Sequence, residues 1–246
     1  MKKRMIVIII GFVFLGVNIY ANPVYWGYTG EEGPEYWGEL SADYEMCSKG
    51  KNQSPINITG AIECELQPIS FSYKRSTLDV INNGHTIKAN YDVGSFIKVD
   101  GDTYNLIQIH WHTPSENTIE GKSFPMEAHF VHADKNGNLA VIGIMYTKGN
   151  KNSAISGVWD NMPSKRNATS KDSRVTISAM NMLPADKDYY YFNGSLTTPP
   201  CSEGVRWMVM KNPVEASIEQ INKFHSTFHG DTNRPVQPIN ARPILK

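Results

Sequence analysis

The chain lacks several features that mark other classes of protein. Its 246 residues include only three cysteines, too few for a small scaffold held together by disulfides. The 24 basic and 24 acidic residues balance, so no excess of positive charge supports a nucleic-acid-binding face. There is no internal repeat, no low-complexity linker and no long run of one charge. A hydrophobic content of 40% is enough for a packed core, and we predict a single domain over residues 22–246.

Only the N terminus is continuously apolar. Lys2–Arg4 is basic, the uncharged segment Met5–Val17 follows, and Ala21 offers a small residue for cleavage. This order is typical of a secretory signal peptide, which we predict over residues 1–21. The alternative is an uncleaved anchor, but a helix of that length extends about 20 Å, short of the roughly 30 Å of a bilayer core. We therefore expect a periplasmic or secreted protein, without a membrane span after cleavage.

The cysteines can pair in more than one way. Export permits disulfides, and Cys47, Cys64 and Cys201 allow at most one bridge within the chain. One thiol is then left over, and the residues alone do not say which one.

Short strands and turns dominate the rest of the chain. Apolar and polar residues alternate in His85–Tyr91, and Asp100-Gly101 and Asn136-Gly137 are typical of hairpin turns. We predict a mainly β fold with a few short peripheral helices. The predicted strands are His85–Tyr91, Ser95–Val99, Tyr104–His112, Met126–Ala133, Leu139–Thr147 and Val205–Met210, and the clearest predicted helix is Val214–Phe228.

Two histidines at positions i and i+2 indicate metal chemistry. Because side chains alternate along a strand, Gln108, His110 and His112 share one face, and on the next strand His129 shares a face with Glu127. Three neutral imidazoles suit zinc and leave its fourth position open, which is typical of a catalytic site. The glutamine and the glutamate each precede a histidine by two residues, so we predict that each accepts that imidazole's second N–H.

The competing interpretation is that these histidines only satisfy hydrogen bonds in the core. A single strand histidine usually does so, but the repeated acceptor-x-His unit favours a metal. The other histidines carry weaker signals. His132 points away from the metal face and is predicted to lie in the core, whereas His225 and His229 lack a third ligand and are predicted to be a solvated pair.

Longer motifs surround the three histidines. They are Gln53–Ile58, Asn82–His85, His110–Asn117, Glu127–His132, Gly194–Cys201 and Asn233–Gln237. With these collinear motifs the chain resembles the α-class carbonic anhydrases, and its signal segment and cysteines resemble those of the exported bacterial type. The resemblance implies a single domain on a large, mostly antiparallel twisted central sheet, with zinc in a conical cleft.

The resemblance also implies an activity. The expected reaction is the reversible hydration of carbon dioxide to bicarbonate and a proton by a zinc-bound hydroxide, with weak esterase activity besides. One Zn²⁺ per chain would be held by His110, His112 and His129. Thr197 corresponds to the family's gatekeeper threonine and Glu116 to its carboxylate partner.

The remaining roles also come from the resemblance. His85 stands where the family keeps its proton shuttle, and we expect the charge of Lys88, placed on the same face, to lower the pKa of that histidine. The residues expected to form the substrate pocket are Val131, Val141, Leu196, Thr198, Val205 and Trp207.

The resemblance resolves the cysteines as well. Exported relatives join cysteines at the places of Cys47 and Cys201, which would leave Cys64 either buried or bridging to another molecule. The expected ligands are carbon dioxide, bicarbonate, sulfonamides and small anions, and a homodimer is left open. Two readings without catalysis remain: a binding module of the same fold, which the presence of all three histidines disfavours, and a zinc-binding or adhesive surface protein.

Overall fold

A computed structural model gives the structure of residues 24–246. The predicted signal peptide, residues 1–21, lies outside the described residues. Within the described part of the chain, no helix combines the length and apolar character needed to span a membrane.

The described residues include thirteen β-strands, five α-helices and two short 3-10 helices, Gly30–Glu32 and Ala42–Tyr44. The strands are β1 (Asn57–Ile58), β2 (Ser70–Ser72), β3 (Ser76–Asn82), β4 (Ile87–Asn90), β5 (Phe96–Val99), β6 (Asp102–His112), β7 (Thr118–Ile119), β8 (Met126–Ala133), β9 (Leu139–Lys148), β10 (Thr169–Ile177), β11 (Tyr189–Ser195), β12 (Glu203–Met210) and β13 (Val214–Ala216). The helices are α1 (Trp37–Leu40), α2 (Met46–Lys49), α3 (Ser156–Asp160), α4 (Ala179–Met182) and α5 (Ile218–Phe228).

Eleven of these strands form one mixed sheet. Its main path runs β10-β3-β4-β6-β8-β9-β12-β11, with β2, β5 and β13 attached beside it. All pairs in this sheet are antiparallel except β12 and β13 with β9. The mainly β prediction is therefore confirmed.

The middle of the sheet is buried on both faces. Every residue of β8 except Ala133 is buried, and β9 is buried from Ala140 to Tyr146. One face packs around Trp111 and Phe130, and the other packs around Trp207. Polar side chains on β8 are thus held away from water and must find partners inside the protein.

The predicted helix over Val214–Phe228 is wrong at its start. The first three residues, Val214–Ala216, form β13, which pairs in parallel with the end of β9. Ser217 then begins the helix with a capping box, in which its side chain accepts from the backbone N–H of Gln220 and the Gln220 side chain accepts in return. Pairing with an existing strand edge outweighs the apolar periodicity that predicted an earlier start.

The predicted strand His85–Tyr91 is also too long. The structure confines β4 to Ile87–Asn90, because the side chain of Asn83 accepts from the backbone N–H groups of His85 and Thr86 and holds them in a turn. His85 consequently stands at the end of the strand, on the turn that leads into it.

A disulfide joins two distant parts of the chain. Cys47 on α2 pairs with Cys201, 154 residues later, as the resemblance implies. Cys64 is free and exposed, so of the two alternatives for this residue the buried one is wrong. Cys64 lies in the loop between β1 and β2, and its backbone N–H donates to the backbone oxygen of Lys246 at 2.9 Å.

Candidate metal centre and cleft

Three histidines converge on one point of the sheet. His110 and His112 lie on one face of β6, and His129 lies directly opposite His110 on β8. The centroid of the His110 ring is 5.0 Å from that of His112 and 5.1 Å from that of His129. Candidate ligand nitrogens of the three rings lie within 4.8 Å of one another. The period of two along β6 and the register of β6 with β8 together bring the predicted ligands into one cluster.

Each ring has an oxygen beside one of its nitrogens. Gln108 Oε1 lies 2.9 Å from His110 Nδ1, and Glu127 Oε1 lies 3.0 Å from His129 Nε2. The third acceptor is the backbone carbonyl of Thr232, which bonds His112 Nδ1. The first two acceptors were predicted from the sequence, but the third was not, because a backbone carbonyl has no side-chain signature.

The remaining nitrogens fit a metal ion. They are Nε2 of His110, Nε2 of His112 and Nδ1 of His129. Among the described residues, His112 Nε2 is buried and has no hydrogen-bond partner, an arrangement that is costly unless a ligand occupies the site. Burial lowers the pKa of all three histidines and so favours the neutral form, which is the form that binds metal.

Glu127 is held by several donors. Its Oε2 accepts from the backbone N–H groups of Glu116 and Asn117, both at 2.8 Å, and its Oε1 accepts from Asn117 Nδ2 at 2.8 Å. Burial raises the pKa of Glu127 to about 7 despite these bonds. Asn117 therefore fixes the carboxylate that faces His129. This role was not predicted from the sequence, although the motif around Asn117 was singled out.

Glu116 is a second buried carboxylate beside the histidines. Its Oε1 accepts from the backbone N–H of Arg234 at 2.8 Å, and its Oε2 lies 3.5 Å from His112 Nε2. Burial raises the pKa of Glu116 to about 8, while hydrogen bonds from the Arg234 backbone and the Thr197 side chain act in the opposite direction. The structure thus brings the predicted pair of Thr197 and Glu116 into contact.

The other predicted pocket residues fall into two groups, of which only Thr198 lines the cavity beside the histidines. Thr198 lines a cavity of about 120 Å³ together with His110 and His112. The apolar wall is one buried cluster, in which the Trp207 ring lies 4.8 Å from that of His129. The members of the cluster that were predicted from the sequence are Val131, Val141, Val205 and Trp207, and Leu196 packs against it.

His85 lines the same cavity and also borders a second one. Its ring stacks on that of Trp26 at 3.7 Å with an interplanar angle of 9°. Burial and the nearby charge of Arg166 lower the pKa of His85 to about 4. The expectation that Lys88 lowers this pKa is wrong in its source: Lys88 lines the cavity, but its charge acts on the pKa of His110. The expectation assumed that Lys88 and His85 share one strand face. In the structure Lys88 lies on β4, whereas His85 lies on the turn before it.

Comparison with known proteins gives a consistent result. The model of the eukaryotic-type carbonic anhydrase family matches residues 32–246. A carbonic anhydrase of Pectobacterium carotovorum is 45% identical over 224 residues, 91% of each chain. One of Neisseria gonorrhoeae is 46% identical over 92% of this chain and 90% of its own. The structure of the α-carbonic anhydrase of Thermovibrio ammonificans with the inhibitor sulfanilamide is 48% identical, with a TM-score of 0.89 over 92% of this chain and 100% of that one. The chain therefore belongs to the eukaryotic-type, or α, carbonic anhydrase family and is an enzyme of that family.

Proposed function

We propose that the protein interconverts carbon dioxide and bicarbonate with one Zn²⁺ held by His110, His112 and His129. The observation that carries the proposal is the convergence of three neutral imidazoles beside a cavity, two of them buried, with His112 Nε2 left without a hydrogen-bond partner. Three protein ligands leave one position for a substrate or water, as in catalytic zinc sites. When bound, zinc acts as a Lewis acid that makes water reactive near neutral pH.

The residues around the ligands orient them. Gln108, Glu127 and the carbonyl of Thr232 each face one imidazole nitrogen, so the opposite nitrogen of each ring turns towards the metal position. A divalent cation so close favours the ionised form of both buried carboxylates, against the effect of burial.

Thr197 and Glu116 orient the reacting oxygen. An ionised Glu116 can only accept hydrogen bonds, so the hydroxyl of Thr197 donates its hydrogen bond to this carboxylate. The threonine oxygen is then left to accept a hydrogen bond from the oxygen nucleophile, which turns a lone pair towards the carbon under attack. Glu116 is itself held by the Arg234 backbone N–H, so the pair cannot rotate freely.

The apolar wall receives the substrate. Carbon dioxide is small and uncharged, so it needs a dry surface and no charged clamp. Val131, Val141 and Leu196, with Val205 and Trp207, offer such a surface next to His129. Thr198 contributes to the opposite, polar part of the cleft.

His85 accepts the product proton. A group with a pKa near 7 releases its proton to bulk water too slowly for the fastest enzymes of this chemistry, which turn over about 10⁶ times per second. His85 borders the cavity beside His110 and a second cavity, so it provides a route, although burial and Arg166 hold its pKa at about 4, below that of the donor. We further expect weak hydrolysis of activated esters and inhibition by sulfonamides and small anions. The N-terminal signal pattern and the Cys47–Cys201 disulfide support export to the periplasm or exterior.

The decisive experiment measures carbon dioxide hydration together with zinc content, before and after chelation. We expect one zinc per chain, loss of activity on chelation and recovery when zinc is restored. His112→Ala should lose zinc and nearly all activity, whereas His225→Ala, which removes an exposed imidazole, should keep both. Full activity in metal-free protein contradicts the proposal, and zinc binding without hydration supports the surface-protein reading instead.

The gatekeeper is tested separately. Thr197→Ala should retain zinc but lose rate, because the metal ligands are intact while the nucleophile is no longer oriented. Thr197→Ser keeps a hydroxyl and should retain more of the rate. A Thr197→Ala variant as fast as the wild type would remove the threonine from the proposed mechanism.

A further inference from the structure

A cationic side chain lies against the turn that carries His85. The guanidinium carbon of Arg166 is 4.6 Å from the centroid of the Tyr25 ring, within the range of a cation–π contact. Arg166 Nε lies 2.6 Å from the position that a Cβ atom would take on Gly84. Gly84 has a φ of +88°, so a residue without a side chain both permits this turn and leaves room for the arginine.

Backbone hydrogen bonds hold the two segments together. The N–H of Asn82 donates to the carbonyl of Ala168 at 3.0 Å, and the N–H of Asn167 donates to the carbonyl of Asn82 at 2.6 Å. On the other side of the turn, Asn83 Oδ1 accepts from the N–H of His85 at 2.9 Å. The loop that carries the arginine is therefore fixed beside the turn that carries the histidine.

Aromatic rings enclose the histidine. The Trp26 ring stacks on one face of His85 at 3.7 Å, and the Tyr25 ring lies 6.2 Å from it. The guanidinium carbon of Arg166 lies over the same Tyr25 ring. Arg166 is thus linked to His85 indirectly, through its contact with Gly84 in the turn and through its contact with the Tyr25 ring. Because Arg166 is exposed, its charge remains partly in solvent.

Other charged and titratable groups surround the same imidazole. His85 borders both the inner cavity of about 120 Å³ and an outer cavity of about 230 Å³. The groups that line these cavities are Tyr25, Tyr28, Glu32, Lys88, His110, His112, His229 and Asp231. Among the cations near the turn, Arg166 is the one that lowers the pKa of His85, in addition to the larger effect of burial.

We propose that Arg166 is a positioning residue of the proton shuttle, which frames His85 through Tyr25 and Gly84 and places a positive charge beside the imidazole. The proposal rests on the proposed function, in which His85 accepts the product proton. A positive charge beside the acceptor disfavours its protonated form. Burial, and to a smaller extent the charge of Arg166, lower the pKa of His85 to about 4, so proton transfer to it from a donor near 7 is uphill. Arg166 therefore adds to the barrier of proton transfer and leaves the carbon dioxide step unchanged.

The test compares Arg166→Gln with Lys165→Gln in the zinc-loaded enzyme. Lys165 is the neighbouring exposed cation on the same loop, so both variants remove one charge. In Arg166→Gln we expect the pKa of His85, followed by NMR of the imidazole, to rise by about 0.5 unit. We expect kcat in weak buffer at pH 7 to rise about two-fold while kcat/KM stays unchanged. Lys165→Gln should leave all three quantities at wild-type values.

Two further measurements separate charge from framing. The pKa difference between Arg166→Gln and the wild type should shrink in 1 M salt, where the screening length is about 3 Å. Arg166→Lys keeps the charge and should keep most of the wild-type pKa. If Arg166→Gln matches Lys165→Gln in the pKa of His85 and in weak-buffer kcat, the proposal is overturned.

His85→Ala distinguishes this proposal from the shuttle on which it rests. A loss of kcat in weak buffer, with rescue by added imidazole, supports the shuttle, and a null effect of Arg166→Gln then counts against the arginine alone. If His85→Ala keeps wild-type kcat without buffer, the shuttle assignment fails and the role of Arg166 in turnover fails with it. The NMR titration still reports whether the arginine acts on the imidazole.

Discussion

At the scale of single residues, the centre depends on side chains that never touch the metal position. Asn117 is fully buried and makes two side-chain bonds: its Nδ2 donates to Glu127 Oε1 at 2.8 Å, and its Oδ1 accepts from the N–H of Ile56 at 3.0 Å. One amide thus joins the carboxylate behind His129 to Ile56, the residue that precedes β1. Its removal leaves the N–H of Ile56 buried without its partner and takes one donor away from Glu127.

We therefore predict that Asn117→Ala weakens zinc binding as well as stability. Loss of support behind a ligand lowers metal affinity by about 10–100-fold. An unpaired buried group costs about 1–3 kcal/mol of unfolding free energy. Competition with a chelator gives the affinity, and denaturant unfolding gives the stability. A variant with wild-type zinc affinity would show that Glu127 does not need this amide.

At the scale of elements, β6 and β8 determine the centre and α5 lies apart from it. The α5 residues Ile221 and Phe224 belong to the core around Trp111, on the sheet face opposite the histidines. Gln220 in its first turn accepts from the N–H of Asn152 at 2.8 Å and donates to the Asn152 carbonyl at 2.9 Å. The start of the helix is therefore tied both to its cap and to a neighbouring loop.

Ser217→Ala should destabilise the fold by about 1 kcal/mol and leave the activity unchanged. The substitution removes the oxygen that accepts from Gln220 N, but it does not reach the cleft. Ser226→Ala is the matched control on the same helix, because Ser226 is exposed and only bonds back to the Lys223 carbonyl. A change in kcat/KM of Ser217→Ala would contradict the separation of α5 from the site.

At the scale of the whole molecule, the disulfide and the buried side chain of Arg234 connect distant segments of the chain to the metal centre. Arg234 Nη2 donates to the Cys47 carbonyl at 2.8 Å, and the backbone N–H of the same arginine holds Glu116. Gln53 Nε2 donates to the Cys201 carbonyl at 3.0 Å. The segment with Thr197 ends at this disulfide, so the cross-link supports the cleft as well as the fold.

Reduction of Cys47–Cys201 should lower the unfolding free energy by about 2–5 kcal/mol, since the bond closes a loop of 154 residues. Thermal unfolding with and without reductant measures this. Cys64→Ser is the control and should unfold like the wild type, because Cys64 is exposed and outside the bridge. Peptide mapping of the unreduced protein gives the pairing, and a peptide that links Cys64 to Cys47 or Cys201 would contradict it.

Acid should destabilise the protein through His132. This histidine is buried between Tyr73 OH, at 2.7 Å, and the Ala140 carbonyl, and burial lowers its pKa to about 4. Between pH 6.5 and 4 the unfolded chain takes up a proton that the folded protein refuses, so stability falls as pH falls, by up to about 3 kcal/mol.

Denaturant unfolding across this pH range tests the effect. His132→Gln should show a shallower loss of stability with falling pH than the wild type, whatever its stability at pH 7. His225→Gln removes an exposed histidine and should keep the wild-type slope. Equal slopes in His132→Gln and the wild type would assign the acid sensitivity to other groups.

The sequence by itself determined the features that depend on local periodicity. A strand places alternate residues on one face. Gln108, His110 and His112 therefore share a face as soon as β6 forms. Glu127 and His129 follow from the same rule on β8. The longer motifs carried Thr197, Glu116 and the Cys47–Cys201 pairing by resemblance, because they match a whole family and not a local pattern.

Only the tertiary structure decided the partners that come from distant parts of the chain. The acceptor for His112 is a backbone carbonyl 120 residues away, and a carbonyl leaves no mark in the sequence. Trp26 stacks on His85, and Arg166 comes near enough to lower its pKa, only after distant segments of the chain have packed together. The pKa of a buried group depends on its burial and on every nearby charge, and both are properties of the folded chain. The start of α5 also depends on tertiary structure, because Val214–Ala216 pairs with the end of β9 as a strand and the helix can begin only after it.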